Sequence, residues 1–311
     1  MVEISVVLPV YNEEQNLKEL YARLSETLRQ LTNAYEILFV NDGSNDGSLA
    51  IIKNYSSTDS RIKFISFTRN FGHQNAIAAG IQNARGNAVI TMDADLQDPP
   101  ELISDMHRYF TEGYKVVYAR RLSRPGESSF KRFTAKAFYR LMKRITAIDI
   151  PIDTGDFRLI GREVAMKLGE MKEANKFLRG QIAWMGFTPK FIEYERPGRK
   201  HGSTKFTIKR MTRFAIDGIT SFSNFPLQIA TFLGFLFSIV AFILILYSLN
   251  SKYILHQVVT GWTSLMVSTM FIGGVQLLCI GIIGEYIMRI NNDVKRRPSF
   301  IVEESNINDM S

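Results

Sequence analysis

The stretch VITMDADLQDPP, residues 89–100, places Asp93, Asp95 and Asp98 within six positions, directly after a strand-like apolar run. Carboxylates this close repel one another, so they call for a solvated loop or a bound positive charge. Asp93 and Asp95 form a D-x-D pair, with Gln97 two positions further on. In an extended run, residues two apart point to the same side, so the two carboxylates and the Gln97 amide oxygen would share one face. Hard oxygen ligands of this kind suit Mg2+ or Mn2+, and Mg2+ commonly shares one or two carboxylates with substrate phosphates. A lone D-x-D also occurs in plain solvated loops, so its surroundings must decide. Asp98 precedes Pro99-Pro100 and reads as a strand end and helix cap, outside the site.

The elements around this loop alternate. Residues 4–10, 36–41, 62–67 and 88–93 are continuous apolar runs of the buried parallel-strand type. Between them, 13–31, 48–56 and 73–84 show helical spacing. Such alternation predicts an α/β domain with a parallel sheet covered by helices. Ligands of such sheets bind outside the carboxyl ends of the strands. The polar residues gather there: Tyr11-Asn12-Glu13, Asn41-Asp42-Gly43, Arg69-Asn70 and Asp93 to Asp98. A dinucleotide site would want G-x-G-x-x-G after the first strand, where this chain has PVYNEE, and no G-x-x-x-x-G-K-[ST] occurs. Hydride transfer and nucleotide hydrolysis are therefore disfavoured.

The 311 residues carry a net charge of +8 and are 46% hydrophobic, enough for a sizeable core and suggestive of an anionic partner. Cys279 is the single cysteine, so neither a disulfide framework nor a thiolate zinc site is expected. The N-terminus, MVEISVVLPVYNEE, lacks the basic leader of a signal peptide. From Pro226 to Leu249 the chain carries no charge, and a second run from Trp262 stays uncharged until Glu285. About 20 apolar residues span a bilayer, so two transmembrane helices are expected, at about 226–249 and 262–288. Lys205, Lys209, Arg210 and Arg213 precede the pair, and Arg289, Lys295, Arg296 and Arg297 follow it, whereas the loop between carries one lysine. The positive-inside rule then puts both termini and the N-terminal domain in the cytoplasm of a plasma-membrane protein. The expected organisation is a domain at 1–206, an amphipathic juxtamembrane segment at 207–225, a helix hairpin within 226–290 and a tail at 291–311. Residues 130–145 form a basic amphipathic pattern without acids, which suits a membrane surface or packing on the protein's own sheet. The basic residues concentrate beside the apolar runs, which argues against nucleic acid as the partner.

PVYNEE (9–14), VNDGSNDGS (40–48) and MDADLQDPPE (92–101), in this order, resemble the signatures of family 2 glycosyltransferases of the Rossmann-like GT-A fold. RNFGHQNA (69–76), GDFRLI (155–160), RPGRKHGSTKF (196–206), ITSFSNFPL (219–227) and GEYIMRI (284–290) narrow the resemblance to polyprenyl-phosphate glycosyltransferases. That group includes dolichyl-phosphate mannose synthase and bactoprenol glucosyl transferases.

The resemblance implies a nucleotide-sugar donor with Pro9, Tyr11, Glu13, Asp42 and Asp93 around its base and ribose. Asp42 could accept an N–H from uracil or simply form the turn in NDGS. Asp93, Asp95 and Gln97 would hold Mg2+ or Mn2+, with Asp95 counted among the catalytic residues. The implied acceptor is polyprenyl phosphate, largely dianionic at neutral pH, which needs positioning against charge repulsion more than deprotonation. Arg121, Arg124, Lys131, Arg132, Arg196, Arg199 and Lys205 are its candidate partners. Asp156 is the candidate acceptor-side catalytic carboxylate; it could orient the phosphate, take a proton, or pair with Arg158. Glucose from UDP-glucose is the favoured sugar, with N-acetylglucosamine, mannose and modified arabinose open. Gly273, Gly274, Gly281 and Gly284 allow close helix approach, and relatives form tetramers, so a homo-oligomer is expected. Two competing readings remain. A processive synthase would want Q-x-x-R-W, where this chain has Gln181-Ile182-Ala183-Trp184. A non-catalytic membrane scaffold would not need Asp93, Asp95, Gln97 and Asp156.

Overall fold

The structure is a computed structural model describing residues 2–122, 151, 154–195, 223, 225–253 and 261–307. The chain divides into two compact units. One comprises Met1–Lys143, Ile148–Ile208 and Arg296–Ser311; the other comprises Arg144–Ala147 and Lys209–Lys295.

The first unit is built on one eight-stranded sheet. Strands β1 (Ile4–Val10), β2 (Tyr35–Asn41), β3 (Ile62–Phe67) and β4 (Ala88–Thr91) form where the continuous apolar runs predict them, and they pair in parallel in the order β4-β1-β2-β3. Helices α1 (Glu14–Leu31), α2 (Ser48–Thr58) and α3 (His73–Asn83) are the crossovers between them. Beyond a 3-10 turn at Pro100–Leu102 follow α4 (Ile103–Thr111), β5 (Val116–Arg121), β6 (Thr154–Gly161), α5 (Arg162–Glu170), α6 (Leu178–Trp184) and β7 (Lys190–Tyr194).

The sheet is mixed, not wholly parallel. Strand β6 runs antiparallel to β4 and β5, with Thr91 opposite Arg158. This reversal brings the start of β6, and Asp156 with it, to the end of β4 where the aspartates lie. Alternation along β1 builds the two halves of the core. Ile4, Val6, Leu8 and Val10 pack with Leu17, Leu20 and Leu24 of α1, Ile52 of α2 and Met106 of α4. On the opposite face Val7 packs with Ile77 of α3, Val164 of α5 and Leu178 of α6.

The C-terminal segment contributes to this sheet as well. The sequence reading gives 291–311 no element, yet Val302–Ser305 forms β8, an edge strand antiparallel to β3. Phe300 stacks on Phe67 at 4.8 Å, and Lys53 pairs with Glu304 at 2.6 Å. Asn306 extends the ladder with its side chain: Oδ1 accepts Phe64 N–H at 2.8 Å and Nδ2 donates to Ile62 O at 3.1 Å. Asn306→Ala removes both bonds and should destabilise the unit by about 1–3 kcal/mol, read as a lowered thermal midpoint.

The second unit holds α7 (Phe225–Tyr253) and α8 (Trp262–Val294). Both are long and apolar enough to cross a membrane, over Phe225–Leu244 and Val267–Val294. Those windows are not buried within the protein, and Phe232, Phe235, Met270 and Leu277 stand exposed. Apolar surface of this extent is not left to water. Phe237 meets Phe271 edge-on at 5.4 Å between the helices. A methyl group on Gly273, Gly274, Gly281 or Gly284 would meet nothing within 4 Å, so packing inside the hairpin does not require these glycines.

Candidate active site

The strand ends carry two knots of polar residues. The first ties the loop after β1 to the loop after β2. Asn12 adopts a left-handed φ of 59° and accepts Asn45 N–H at 2.8 Å, while its own N–H donates to Ser44 Oγ at 3.0 Å. Glu13 N–H donates to Ser48 Oγ at 3.0 Å and Glu14 N–H to Asp46 at 3.1 Å. Beside this lattice stand half-exposed Tyr11 and the Glu13 carboxylate, which accepts from Asn16 at 2.6 Å; Pro9 is buried within β1.

Asp42 is buried at 3% exposure and accepts the backbone N–H groups of Phe71, at 2.7 Å, and Gly72, at 3.0 Å. It thus ties the end of β2 to the start of α3. Burial raises its pKa, against the lowering effect of those two bonds. Gly43 completes the tie. Its φ is +66°, and a Cβ there would lie 2.5 Å from the Arg69 carbonyl carbon. Gly43→Ala should destabilise the unit by about 1–3 kcal/mol from backbone strain alone, measurable as a lowered thermal midpoint.

The second knot centres on His73, the first residue of α3. Its Nε2 lies 3.3 Å from Asp93 Oδ1 and 3.1 Å from Asp156 Oδ2. Gln74 Nε2 donates to the same Asp156 oxygen at 3.0 Å. Arg158, only 1% exposed, pairs with the other Asp156 oxygen, and Thr91 Oγ1 donates to the Asp156 carbonyl. Burial would raise the Asp156 carboxyl, but Arg158 and His73 hold it far below the ordinary carboxylate range. Asp93 is pushed up to about 7 by burial, with His73 opposing and Asp98, Asp156 and Asp95 adding to the rise.

Burial lowers the imidazole pKa of His73, yet the hydrogen bond to Asp156 and the charge of Asp93 lift it to about 9. This folded value lies above the ordinary 6.5. The stability from this pairing is therefore fully present below pH 6.5 and lost as pH rises through about 9. The side chain is 45% exposed, which keeps the effect small. The difference in thermal midpoint between the wild type and His73→Gln should shrink across that window.

The aspartate loop departs from the extended geometry expected of it. Strand β4 ends at Thr91, Leu96 takes a left-handed φ of 59°, and Asp95 Oδ1 accepts Gln97 N–H at 3.1 Å. Asp93, Asp95 and Gln97 therefore lie on a turn, so strand alternation does not set their directions. Among the described residues no three His, Cys, Asp or Glu side chains form a closed metal cage. The donor set nevertheless fits a divalent cation shared with a diphosphate, which takes only one or two protein carboxylates.

Asp98 is not the helix cap that the sequence suggests. It is 0% exposed and accepts the Tyr194 hydroxyl at 2.6 Å. Arg121, a candidate phosphate ligand, turns inward to the same pair: Nε donates to Tyr194 Oη at 3.2 Å, and Nη2 lies 3.8 Å from Asp98. Its guanidinium braces the protein instead of standing open to an acceptor. Arg124, Lys131, Arg132, Arg196, Arg199 and Lys205 lie outside the described residues, as do the basic amphipathic pattern at 130–145 and most of the juxtamembrane segment. The sequence assigns no role to His73, Gln74 or Tyr194. For the first two a signal existed: RNFGHQNA follows β3 at the ligand-binding end of the sheet.

Comparison with known proteins gives a consistent family. The model of the family described as Glycosyl transferase family 2 matches residues 5–169. The uncharacterized glycosyltransferase YkcC of Bacillus subtilis (strain 168) is 49% identical over 98% of this chain and 94% of its own. The SfII prophage-derived bactoprenol glucosyl transferase of Shigella flexneri is 39% identical over 97% of this chain and 98% of its own. Among solved structures, a glucosyl-3-phosphoglycerate synthase from Mycobacterium tuberculosis in complex with Mn2+, uridine-diphosphate-glucose and phosphoglyceric acid superposes with a TM-score of 0.48, at 15% identity, covering 70% of this chain and 78% of that one. The chain belongs to glycosyl transferase family 2 and is a glycosyltransferase of the GT-A type of α/β fold.

Proposed function

We propose that this glycosyltransferase moves a hexose, with glucose favoured, from a uridine-diphosphate sugar to undecaprenyl or a similar polyprenyl phosphate, with inversion at the anomeric carbon. The observation that carries this reading is near-full-length similarity to relatives named bactoprenol glucosyl transferase, extending through both apolar helices. The product is a lipid-linked sugar fit for modifying a cell-surface glycan.

Pro9, Tyr11 and Glu13 would line the base and ribose of the donor. Asp42 shapes that pocket through the 71–72 backbone and keeps acceptor capacity for a base N–H. Asp93, Asp95 and Gln97 would hold Mg2+ or Mn2+, which when bound supplies Lewis-acid neutralisation of the diphosphate leaving group. Asp156 is held ionised and engaged, so it is a poor proton acceptor. The nucleophile has little need of one, because much of a phosphate monoester is already a dianion at neutral pH. Asp156 instead fixes His73 and Gln74 at the strand ends. The acceptor phosphate would be clamped by cations among Arg124, Lys131, Arg132, Arg196, Arg199 and Lys205, with Arg121 bracing from behind.

The two apolar helices would cross the plasma membrane with the catalytic unit and both termini cytoplasmic, as the flanking lysines and arginines suggest. The glycines of α8, unused within the hairpin, suit contact with further copies of this chain in a homo-oligomer, a tetramer being one such form.

The test is transfer by purified protein with undecaprenyl phosphate, Mg2+ or Mn2+, and a panel of labelled nucleotide sugars, with product extracted into organic solvent. Labelled lipid from one donor, lost with EDTA, is the expected result and names the sugar. No lipid product from any donor, with nucleotide binding intact, would favour the scaffold reading.

A further inference from the structure

No carboxylate among the described residues is more enclosed than Asp98, and the proposed reaction gives it no part. A buried carboxylate is costly unless paired, and an apolar residue would fill the same space at no such cost. Its partners join segments far apart in sequence. Tyr194 ends β7 and Arg121 ends β5. The Arg121 guanidinium also lies against Gly155 at the start of β6, where an added Cβ would sit 2.5 Å from Nη2. The Tyr194 ring meets Phe157 edge-on at 6.3 Å, and Leu122 N–H donates to Tyr194 O at 2.9 Å, joining the points where the chain leaves β5 and β7. Asp98 itself closes the turn that holds Asp93, Asp95 and Gln97.

We infer that Asp98 and Tyr194 are positioning residues: with Arg121 they lock the Asp93–Asp98 turn to the exits of β5 and β7, and so hold the donor side of the site in register with the acceptor side. The kinetic part of this inference rests on the proposed transfer reaction. The chain beyond those two exits carries Arg124, Lys131 and Arg132 on one branch and Arg196, Arg199 and Lys205 on the other. A small misplacement of reacting groups is enough to slow transfer strongly.

Tyr194→Phe tests the lock, because it removes only the hydroxyl and keeps the ring against Phe157. Transfer is expected to fall by about 10- to 100-fold in kcat/KM for the lipid phosphate, with KM for the nucleotide sugar within about twofold of wild type. Gly155→Ala, which displaces the guanidinium without touching Asp98 or Tyr194, should give the same split. A purely structural role would lower the thermal midpoint and leave both kinetic constants of the folded protein unchanged; that result overturns the inference. Hydrogen exchange supplies an arm that needs no substrate. In Tyr194→Phe the amides of Leu122 and Gln97 should exchange faster together, by up to about tenfold, while those of β1 and β2 hold. Failure of the two to move together overturns the lock whatever the activity. An inactive wild-type protein whose variant shows coupled exchange would reject the transfer reaction and leave the lock standing.

Discussion

Asp156→Asn is expected to lower transfer by about 10²–10³-fold, the scale seen when one preorganised polar group is lost from an active site. It should also destabilise the sheet unit by about 3–5 kcal/mol. The second effect follows from Arg158, whose buried guanidinium pairs with the Asp156 carboxylate. A neutral amide leaves that charge uncompensated, and its single carbonyl oxygen cannot serve Arg158, His73 and Gln74 as two carboxylate oxygens do. The two effects separate in a double variant. Adding Arg158→Met removes the stranded charge, so the thermal midpoint should recover while transfer stays low. Transfer by Asp156→Asn within twofold of wild type would sink the proposed role of this carboxylate, and a low midpoint retained in the double variant would sink the ion-pair account.

Asp95→Asn should act in the opposite way, with turnover lost and the fold kept. Asp95 uses Oδ1 to accept Gln97 N–H, and an Asn oxygen can accept the same bond, so the turn at Leu96 survives. What disappears is a negative oxygen ligand. A Lewis acid at a leaving diphosphate is worth several kcal/mol, so its loss should slow transfer by about 10³-fold or more. EDTA treatment of the wild-type protein should match this loss, and added Mg2+ or Mn2+ should restore the wild type but not the variant. Transfer that persists in Asp95→Asn, or in excess EDTA, would refute a metal role for this loop.

The parts of the fold legible in the sequence are those where burial is complete. Strands β1 to β4 read directly because every residue from Ile4 to Val10, for instance, is inside, so the run is apolar apart from Ser5, whose hydroxyl donates to Glu36. The crossover helices read equally well. Strand β8 did not, because VEES is a short edge strand with two glutamates. Its place depends on β3, more than 230 residues earlier, and on Asn306 standing in for backbone. The site shows the same division. Asp93, Asp95 and Asp156 stand out by residue type and motif, but the end of β4 at Thr91 and the left-handed Leu96, which take this loop out of strand alternation, are backbone features no spacing rule contains. The interior place of Asp98 escapes the sequence for a related reason. Beside Pro99-Pro100 an aspartate looks like a strand end and helix cap, and only Tyr194, 96 residues later, makes it an interior hydrogen-bond partner.

The pairing of β8 with β3 also bears on how the protein is made. The sheet is not contiguous in the chain, since both long apolar helices lie between β7 and β8. A ribosome releases the first seven strands, then the two hydrophobic helices, and only after them the residues that close the β3 edge. Until then the backbone groups on that edge are open to any strand that can pair with them. The hydrogen bond from Phe64 N–H to Asn306 closes a loop of 242 residues, so it belongs among the last native contacts to form. A chain stopped shortly after α8 would keep the candidate site residues of β1 to β7 and both apolar helices, yet leave the β3 edge unpaired and open to strands of other chains.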